Sequence, residues 1–332
     1  MLSRAESLRV TKAAAQVLDD FAVREAVLAG RFTRVDPIAL AELAGLHVMC
    51  RPMNQLLGAF IREGEPGILL NTQRSAGMIH MTCAHELGHF FLNHASTADE
   101  RLDYGKGAGN HELEADQFAY TLVAPSWLLA HVVRERDWAP RLGDPRTVYQ
   151  LSLRLGLSYE ATVWTLLRQR RIEPVTAERL SAQKPMAIKR SLVPRGQPVL
   201  AGQDIWVLNP SDRNSVLQPR AGDRFLLSLP DHGSAGLLWQ ARDAEQAGYT
   251  LRPLPIEAPA HHEIRVGGVQ QALFEIEVGE LPDRVELDVQ ERKPWLAAAP
   301  AADEVKVTAQ FETIGDGLTP ETKRRLIEGF RR

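Results

Sequence analysis

The sequence is poor in cysteine, in charge of one sign and in long hydrophobic runs, and each shortage excludes a class of protein. Two cysteines in 332 residues cannot build a disulfide framework. A formal charge of −3, from 39 Lys and Arg against 42 Asp and Glu, gives no global attraction to nucleic acid, although a local basic patch stays open. No apolar run approaches the roughly 20 residues of a membrane span. The first thirty residues, interrupted by Arg4, Glu6, Asp19, Asp20 and Arg24, lack the apolar core of a signal peptide. No internal repeat or low-complexity block is evident. These absences point to a soluble cytoplasmic protein with no membrane partner. What is present is 44 % hydrophobic content, enough over this length for two ordinary domains with cores of their own.

The chemistry concentrates in Met81-Thr82-Cys83-Ala84-His85-Glu86-Leu87-Gly88-His89. On an α-helix residues i and i+4 share a face, so His85 and His89 can grip one metal ion from the same side. Glu86 sits beside that face, within reach of a metal-bound water. Zinc with one open coordination position lowers the pKa of bound water from about 16 to about 7, and a general base beside that water gives peptide hydrolysis. The five-residue pattern alone arises by chance in roughly one chain per hundred of this length, so a third ligand is required. His111-Glu112-Leu113-Glu114-Ala115-Asp116 supplies it. Glu112 and Asp116 are again i and i+4: one carboxylate to ligate, and one to accept the far N–H of a ligating imidazole and fix its tautomer. Two histidines and a glutamate, with the fourth position left to water, form a catalytic zinc arrangement. The competing reading makes Glu112, Glu114 and Asp116 a solvated acidic face.

Other residues near the motif carry weaker signals. His80 and His94 flank it and read as surface or packing histidines. Tyr104, in the 95–109 loop, is a candidate oxyanion stabiliser, with a surface tyrosine as the alternative. Cys83 points away from the ligand face and reads as buried packing. Cys50 is a candidate latch whose thiolate would occupy the open zinc position until oxidised or displaced, against a plain buried cysteine.

The paired motifs, His85-Glu86-Leu87-Gly88-His89 and Glu112-x-Glu114-Ala115-Asp116-x-Phe118-Ala119-x-x-Leu122-x-x-Pro125, resemble the ImmA/IrrE family of metallopeptidases. The segments around Asp36-Pro37, Gly45-Leu46-His47-Val48 and Ile68-Leu69-Leu70-Asn71 fit the same family, so the resemblance spans roughly residues 5 to 172. It implies zinc held by His85, His89 and Glu112, Glu86 as catalytic base and Asp116 behind a ligand. It also implies a substrate class: helix-turn-helix repressors, cut to release a mobile-element, stress or defence operon.

Read in order, the chain predicts an α+β protein. A supporting helix over 5–29 precedes a short helix capped by Asp36 with Pro37 at its first turn. Three short strands follow, at 46–51, 57–61 and 67–70, and then the motif helix from about Arg74 to His94. Helices fill 126–172, completing a zincin-like peptidase domain over 1–172. Within them Tyr149 to Val163, followed by Arg168, Arg170 and Arg171, has the turn glycine and apolar spacing of a helix-turn-helix. Packing inside the peptidase fold is the preferred reading, with contact to single-stranded DNA as an activator kept as the alternative. Pro174, Pro185, Pro194 and Pro198 mark a linker over 173–202.

Beyond it the texture turns to short β-type runs: 205–208, 224–229, 236–241, 249–254, 263–266, 272–278 and 285–289. Turn residues separate them at sandwich-like intervals. Leu229-Pro230, Ser234-Ala235-Gly236-Leu237-Leu238-Trp239, Val266-Gly267-Gly268 and Lys293-Pro294-Trp295 resemble the loop motifs of chagasin-type cysteine-peptidase inhibitors. That implies an immunoglobulin-like all-β domain over 203–295. Ala235, Leu237 and Lys293 stand where those inhibitors carry threonine, an aromatic residue and arginine, which favours a repurposed binding or sensing module with its own, unidentified ligand. Residues 296–332 read as an Ala-Pro tether, a strand over 305–311 and a C-terminal helix opened by Thr319-Pro320-Glu321. Two functions follow. One is a zinc endopeptidase that cuts a helix-turn-helix repressor, with the β domain sensing or positioning. The other is a non-enzymatic binding or inhibitor protein acting through the β domain.

Overall fold

The computed structural model describes residues 2–99, 109–241, 244–255, 270–279, 283–296 and 300–329. The chain forms two compact units, one of residues 1–134, 151–178 and 314–332, the other of residues 135–150 and 179–313.

In the first unit, helix α1 (Arg4–Asp20) opens on a reciprocal cap: Ser3 Oγ accepts the Glu6 N–H, and the Glu6 carboxylate accepts the Ser3 N–H. The single helix expected over 5–29 is broken at Ala22, whose left-handed backbone (φ 49°) separates α1 from α2 (Val23–Leu28). Helix α3 (Pro37–Leu43) starts as its sequence predicts, with the Asp36 carboxylate accepting the N–H groups of Ile38 and Ala39. Strands β1 (His47–Arg51), β2 (Gly58–Ile61) and β3 (Gly67–Asn71) follow, with β1 and β3 parallel and β2 antiparallel to β3. The motif helix α4 (Ala76–Phe91) is followed by β4 (Thr97–Asp99), which pairs with β2. Then come α5 (Asn110–Val123), α6 (Ser126–Glu135), α7 (Pro145–Leu155), which is divided at residue 150 between the second unit and the first, and α8 (Tyr159–Arg168). Helix α8, the second helix of the segment with helix-turn-helix spacing, buries Tyr159, Ala161, Thr162, Val163, Thr165 and Leu166. It packs as core, and Arg168 lies over the Tyr120 ring, 3.9 Å from its centroid.

The stretch expected to be a linker is helical. Helices α9 (Pro174–Ser181) and α10 (Pro185–Leu192) occupy most of it. Their prolines stand at the first helical position, where a missing N–H costs nothing and a fixed φ helps. Proline there marks helix starts, which a composition argument takes for a tether.

The second unit holds two four-stranded sheets. Strands β5 (Ile205–Leu208), β7 (Arg224–Asp231), β10 (Gln270–Val278) and β9 (Tyr249–Leu254) lie in the order β5-β7-β10-β9. Strands β6 (Ser215–Leu217), β12 (Asp303–Gln310), β11 (Arg284–Arg292) and β8 (Leu238–Ala241) lie in the order β6-β12-β11-β8, and one turn of helix, α11 (Ala244–Ala247), precedes β9. Val285, Leu287 and Val289 of β11 alternate inward beside Val305, Val307 and Ala309 of β12. The strand expected over 305–311 thus belongs to the second sheet, where it runs over Asp303–Gln310. Tyr249 joins the two sheets: its hydroxyl donates to Asp288 O and accepts the Asp288 N–H, both at 3.0 Å. The run at 263–266 and the Val266-Gly267-Gly268 motif lie outside the described residues.

Residues 314–329 return to the first unit. Strand β13 (Gly317–Leu318) pairs antiparallel with the edge of β1, giving the order β13-β1-β3-β2-β4. Helix α12 (Pro320–Gly329) follows, with Thr319 donating to Glu42 and Arg325 donating to Leu46 O. The expected C-terminal helix is therefore anchored, and Thr322 on it is fully buried, its Oγ1 accepting the Val48 N–H at 3.1 Å. Thr322→Val keeps the shape and removes the acceptor, leaving a buried N–H unsatisfied. The expected loss is about 1–3 kcal/mol, read as a lower denaturant midpoint at unchanged slope. Among the described residues no helix is long and apolar enough to cross a membrane.

Candidate metal centre

The centre is made where α4 crosses α5. Gly88 sits at the crossing, where an added Cβ would stand 3.0 Å from Ala115 Cα and 3.2 Å from Ala115 O. The missing side chain lets the two backbones close up, and that approach brings Glu112 and Asp116 to His85, one turn before Gly88, and to His89, the residue after it. His85 and His89 are buried on α4, and their Nε2 atoms face one another at 3.0 Å. Glu112 Oε2 lies 3.2 Å from His85 Nε2, and Glu112 Oε1 lies 3.7 Å from His89 Nε2. These three residues converge as a possible metal-binding group. A tetrahedral zinc with bonds of about 2.0–2.1 Å sets its ligand atoms roughly 3.3 Å apart, so the donor types and their spacing fit zinc. Hydrogen bonds from His85 and then His89 hold the Glu112 carboxyl well below the usual carboxylate range.

Behind the ligands stand two carboxylates. Asp116 Oδ1 lies 2.9 Å from His85 Nδ1, the contact its i+4 relation to Glu112 predicts. The other contact has no counterpart in the sequence argument. Helix α4 ends at Phe91 with Leu92 as its C-cap, after which Asn93 takes the left-handed conformation (φ 61°). The His94 N–H then bonds His89 O at 2.9 Å and the Asn93 N–H bonds Phe90 O at 3.1 Å, the double closure of a Schellman turn. Arg62 secures this end by donating to the carbonyls of His89, Phe90 and His94 at 2.7–3.1 Å. The turn folds the His94 ring back so that its Nδ1 is 3.0 Å from His89 Nδ1, with its Nε2 3.1 Å from Glu114 Oε2. Burial foremost pushes the His94 pKa down, although Glu114 opposes it. For Glu114 burial acts to raise the pKa, but hydrogen bonds from Arg9 and His94 prevail and lower it.

Glu86 is fully buried beside His85. Strand β2 passes it at Gly58, where an added Cβ would stand 2.5 Å from Thr82 Cγ2 and 3.1 Å from Glu86 Oε1. The other sequence candidates lie elsewhere. His80 is buried, with its Nδ1 2.9 Å from Gly156 O and 3.3 Å from Arg34 Nη1. Cys50 is buried on β1, and the converging donor group does not include it. Burial pushes the Cys83 thiol well up, as suits a packed side chain. Tyr104 lies outside the described residues.

Two buried imidazoles and a carboxylate, with a glutamate beside the first histidine, define a metallopeptidase-type site. The comparisons agree at the level of class: residues 41–166 match the family model of the IrrE N-terminal-like domain, a peptidase domain (Peptidase_M78). No curated protein matches the chain. Solved structures similar to it include the cysteine protease inhibitor EhICP2 from Entamoeba histolytica, at 13 % identity and TM-score 0.26, over 33 % of this chain and 97 % of that one. Amebosin, a solution structure, is similar at 17 % identity and TM-score 0.25, over 33 % of this chain and 98 % of that one. At these scores the likeness carries no statement of fold or activity.

Proposed function

We propose that this protein is a zinc-dependent, site-specific endopeptidase that cuts a helix-turn-helix repressor and so releases a stress, mobile-element or defence operon in the cytoplasm. The observation that carries the reading is the convergence of His85 Nε2, His89 Nε2 and Glu112 within ligand distance of one another, with Glu86 buried next to His85. Zinc, when bound there, supplies a Lewis acid and lowers the pKa of water to about 7. Glu86 takes the proton of the attacking water on its carboxylate and returns it to the leaving amine nitrogen. Asp116 holds the proton on His85 Nδ1, which keeps Nε2 available as a donor. Burial of the histidines keeps bulk water from competing for them.

The two sheets of the second unit are read as an immunoglobulin-like module that senses a signal or docks a partner. A second function rests on that surface. Leu238, Trp295 and Leu296 are 51 %, 67 % and 49 % exposed, and Trp295 covers Gly236, where a Cβ would fall 2.5 Å from its Cη2. An exposed aromatic over a glycine turn suits the capture of an apolar partner segment, which would make this a binding protein. The direct test incubates the zinc-loaded full chain with the repressor encoded beside its gene, with and without single-stranded DNA or oxidant, and reads fragments by intact mass. One discrete cut that a chelator abolishes is expected. An intact repressor under every condition overturns the protease reading in favour of the binding protein.

A further inference from the structure

The metal centre is tied to helix α1, which lies outside residues 41–166. His89 can ligate through Nε2 only if that nitrogen keeps its lone pair, which puts the ring proton on Nδ1. That proton faces His94 Nδ1, 3.0 Å away, so His94 Nδ1 is the acceptor and the neutral His94 ring carries its own proton on Nε2. This second N–H is 3.1 Å from Glu114 Oε2. The Arg9 guanidinium donates to the remaining Glu114 oxygen. Each ring nitrogen and each Glu114 oxygen in the chain has its own hydrogen-bonding role, and the chain of roles selects the tautomer that a metal requires.

We propose that His94, Glu114 and Arg9 form a positioning relay that fixes the tautomer and orientation of His89, so that metal affinity is set partly from helix α1. The inference rests on the metal-centre reading above. The outer nitrogens of the two histidines are unequally supported: His85 Nδ1 meets a carboxylate directly in Asp116 at 2.9 Å, whereas His89 Nδ1 reaches one through His94. Its support therefore depends on the Schellman turn that aims His94 and on α1 holding its place along α5. Two further contacts keep that place, Asn110 Nδ2 to Glu6 Oε1 at 3.4 Å and Gln117 Nε2 to Thr11 Oγ1 at 3.3 Å. The Arg9 side chain is 54 % exposed against 11 % for Glu114, so solvent screens the outer end of the relay and its share is the smallest.

The test compares full-length wild type with His94→Leu, Glu114→Gln, Arg9→Met and Arg9→Lys. Zinc affinity is measured by competition with a chromophoric chelator, site geometry by the visible absorption of the cobalt-substituted protein, and fold by the melting of the metal-free protein. Loss of one outer partner is expected to weaken zinc binding about 10–100-fold for His94→Leu and Glu114→Gln, and about 3–10-fold for Arg9→Met. Arg9→Lys restores most of that loss. The cobalt bands move in the first two variants while metal-free melting stays within a few degrees of wild type. Zinc affinity of His94→Leu within about twofold of wild type overturns the relay, since outer partners ordinarily matter tenfold or more. So does a fall in metal-free stability that tracks the affinity loss, which marks a structural role. Failure of the wild type itself to bind zinc is a separate result, and it overturns the metal centre rather than the relay.

Discussion

Glu86→Gln is expected to abolish peptide cleavage while leaving zinc content unchanged. The substitution keeps the length and shape of the side chain at a fully buried position, where even a Cβ added at Gly58 would stand 3.1 Å from Glu86 Oε1. An amide cannot take a proton from water at neutral pH, so the step assigned to Glu86 loses its base. General-base assistance is worth about 10²–10⁴ in rate, and the loss of one charge beside the reaction centre adds to it. None of the three metal donors is altered. His85→Ala removes one of them, so it is expected to lose the metal together with the activity, and the pair of variants separates base from ligand. Single-turnover cleavage of the adjacent-gene repressor and elemental zinc analysis provide the two readings. Cleavage by Glu86→Gln at the wild-type rate would remove Glu86 from the mechanism.

The convergence of His85, His89 and Glu112 was legible in the sequence because helix geometry converts a spacing into a face. His85 with His89 and Glu112 with Asp116 each repeat at four residues, and only a close crossing of two helices was then needed to bring them together. Gly88 marks that crossing, yet its reason lies in the backbone of Ala115, which no spacing rule reveals. Local chemistry was likewise readable at Asp36-Pro37 and in the alternating valines of β11 and β12. Other features depend on contacts between residues far apart in the chain. Arg9 and Glu114 are 105 residues apart, and Val48 and Thr322 are 274 apart, so no window contains either pair. His94 was read as a surface or packing histidine because three ligands were already assigned, and the motif helix was drawn through it. The helix stops at Phe91, and the left-handed Asn93 turns the ring toward His89. The helices within the 173–202 stretch were missed for a related reason: a proline signals a break in the preceding element and a start in the next, and composition does not tell the two apart.

Gly77→Ala is expected to destabilise the first unit strongly, against its local propensity. Gly77 is the second residue of α4, and alanine in an exposed helix is favoured over glycine by about 1 kcal/mol. Here the Cβ would stand 2.3 Å from both Leu157 C and Ser158 N and 2.7 Å from Leu157 O. All three atoms are backbone in the turn between α7 and α8, so no flexible side-chain end can swing aside. The turn is fixed in its own right: Gly156 is left-handed (φ 67°) with its carbonyl 2.9 Å from His80 Nδ1, and Ser158 caps α8 by accepting the Ala161 N–H at 3.1 Å. Relief therefore requires α4 and the α7–α8 turn to separate by about 1 Å, an overpacking cost of about 3 kcal/mol or more that exceeds the propensity gain. A net loss of about 2–3 kcal/mol lowers the melting temperature by roughly 4–12 °C for a unit of this size. Gly202→Ala, where nothing lies within 4 Å of the added Cβ, serves as the control and is expected to leave melting unchanged. Since α4 carries both histidines proposed to hold zinc, the same displacement is expected to weaken zinc binding at temperatures where Gly77→Ala is still folded. A variant as stable as wild type would mean that the turn is compliant, and that the segment with helix-turn-helix spacing does not brace the metal helix.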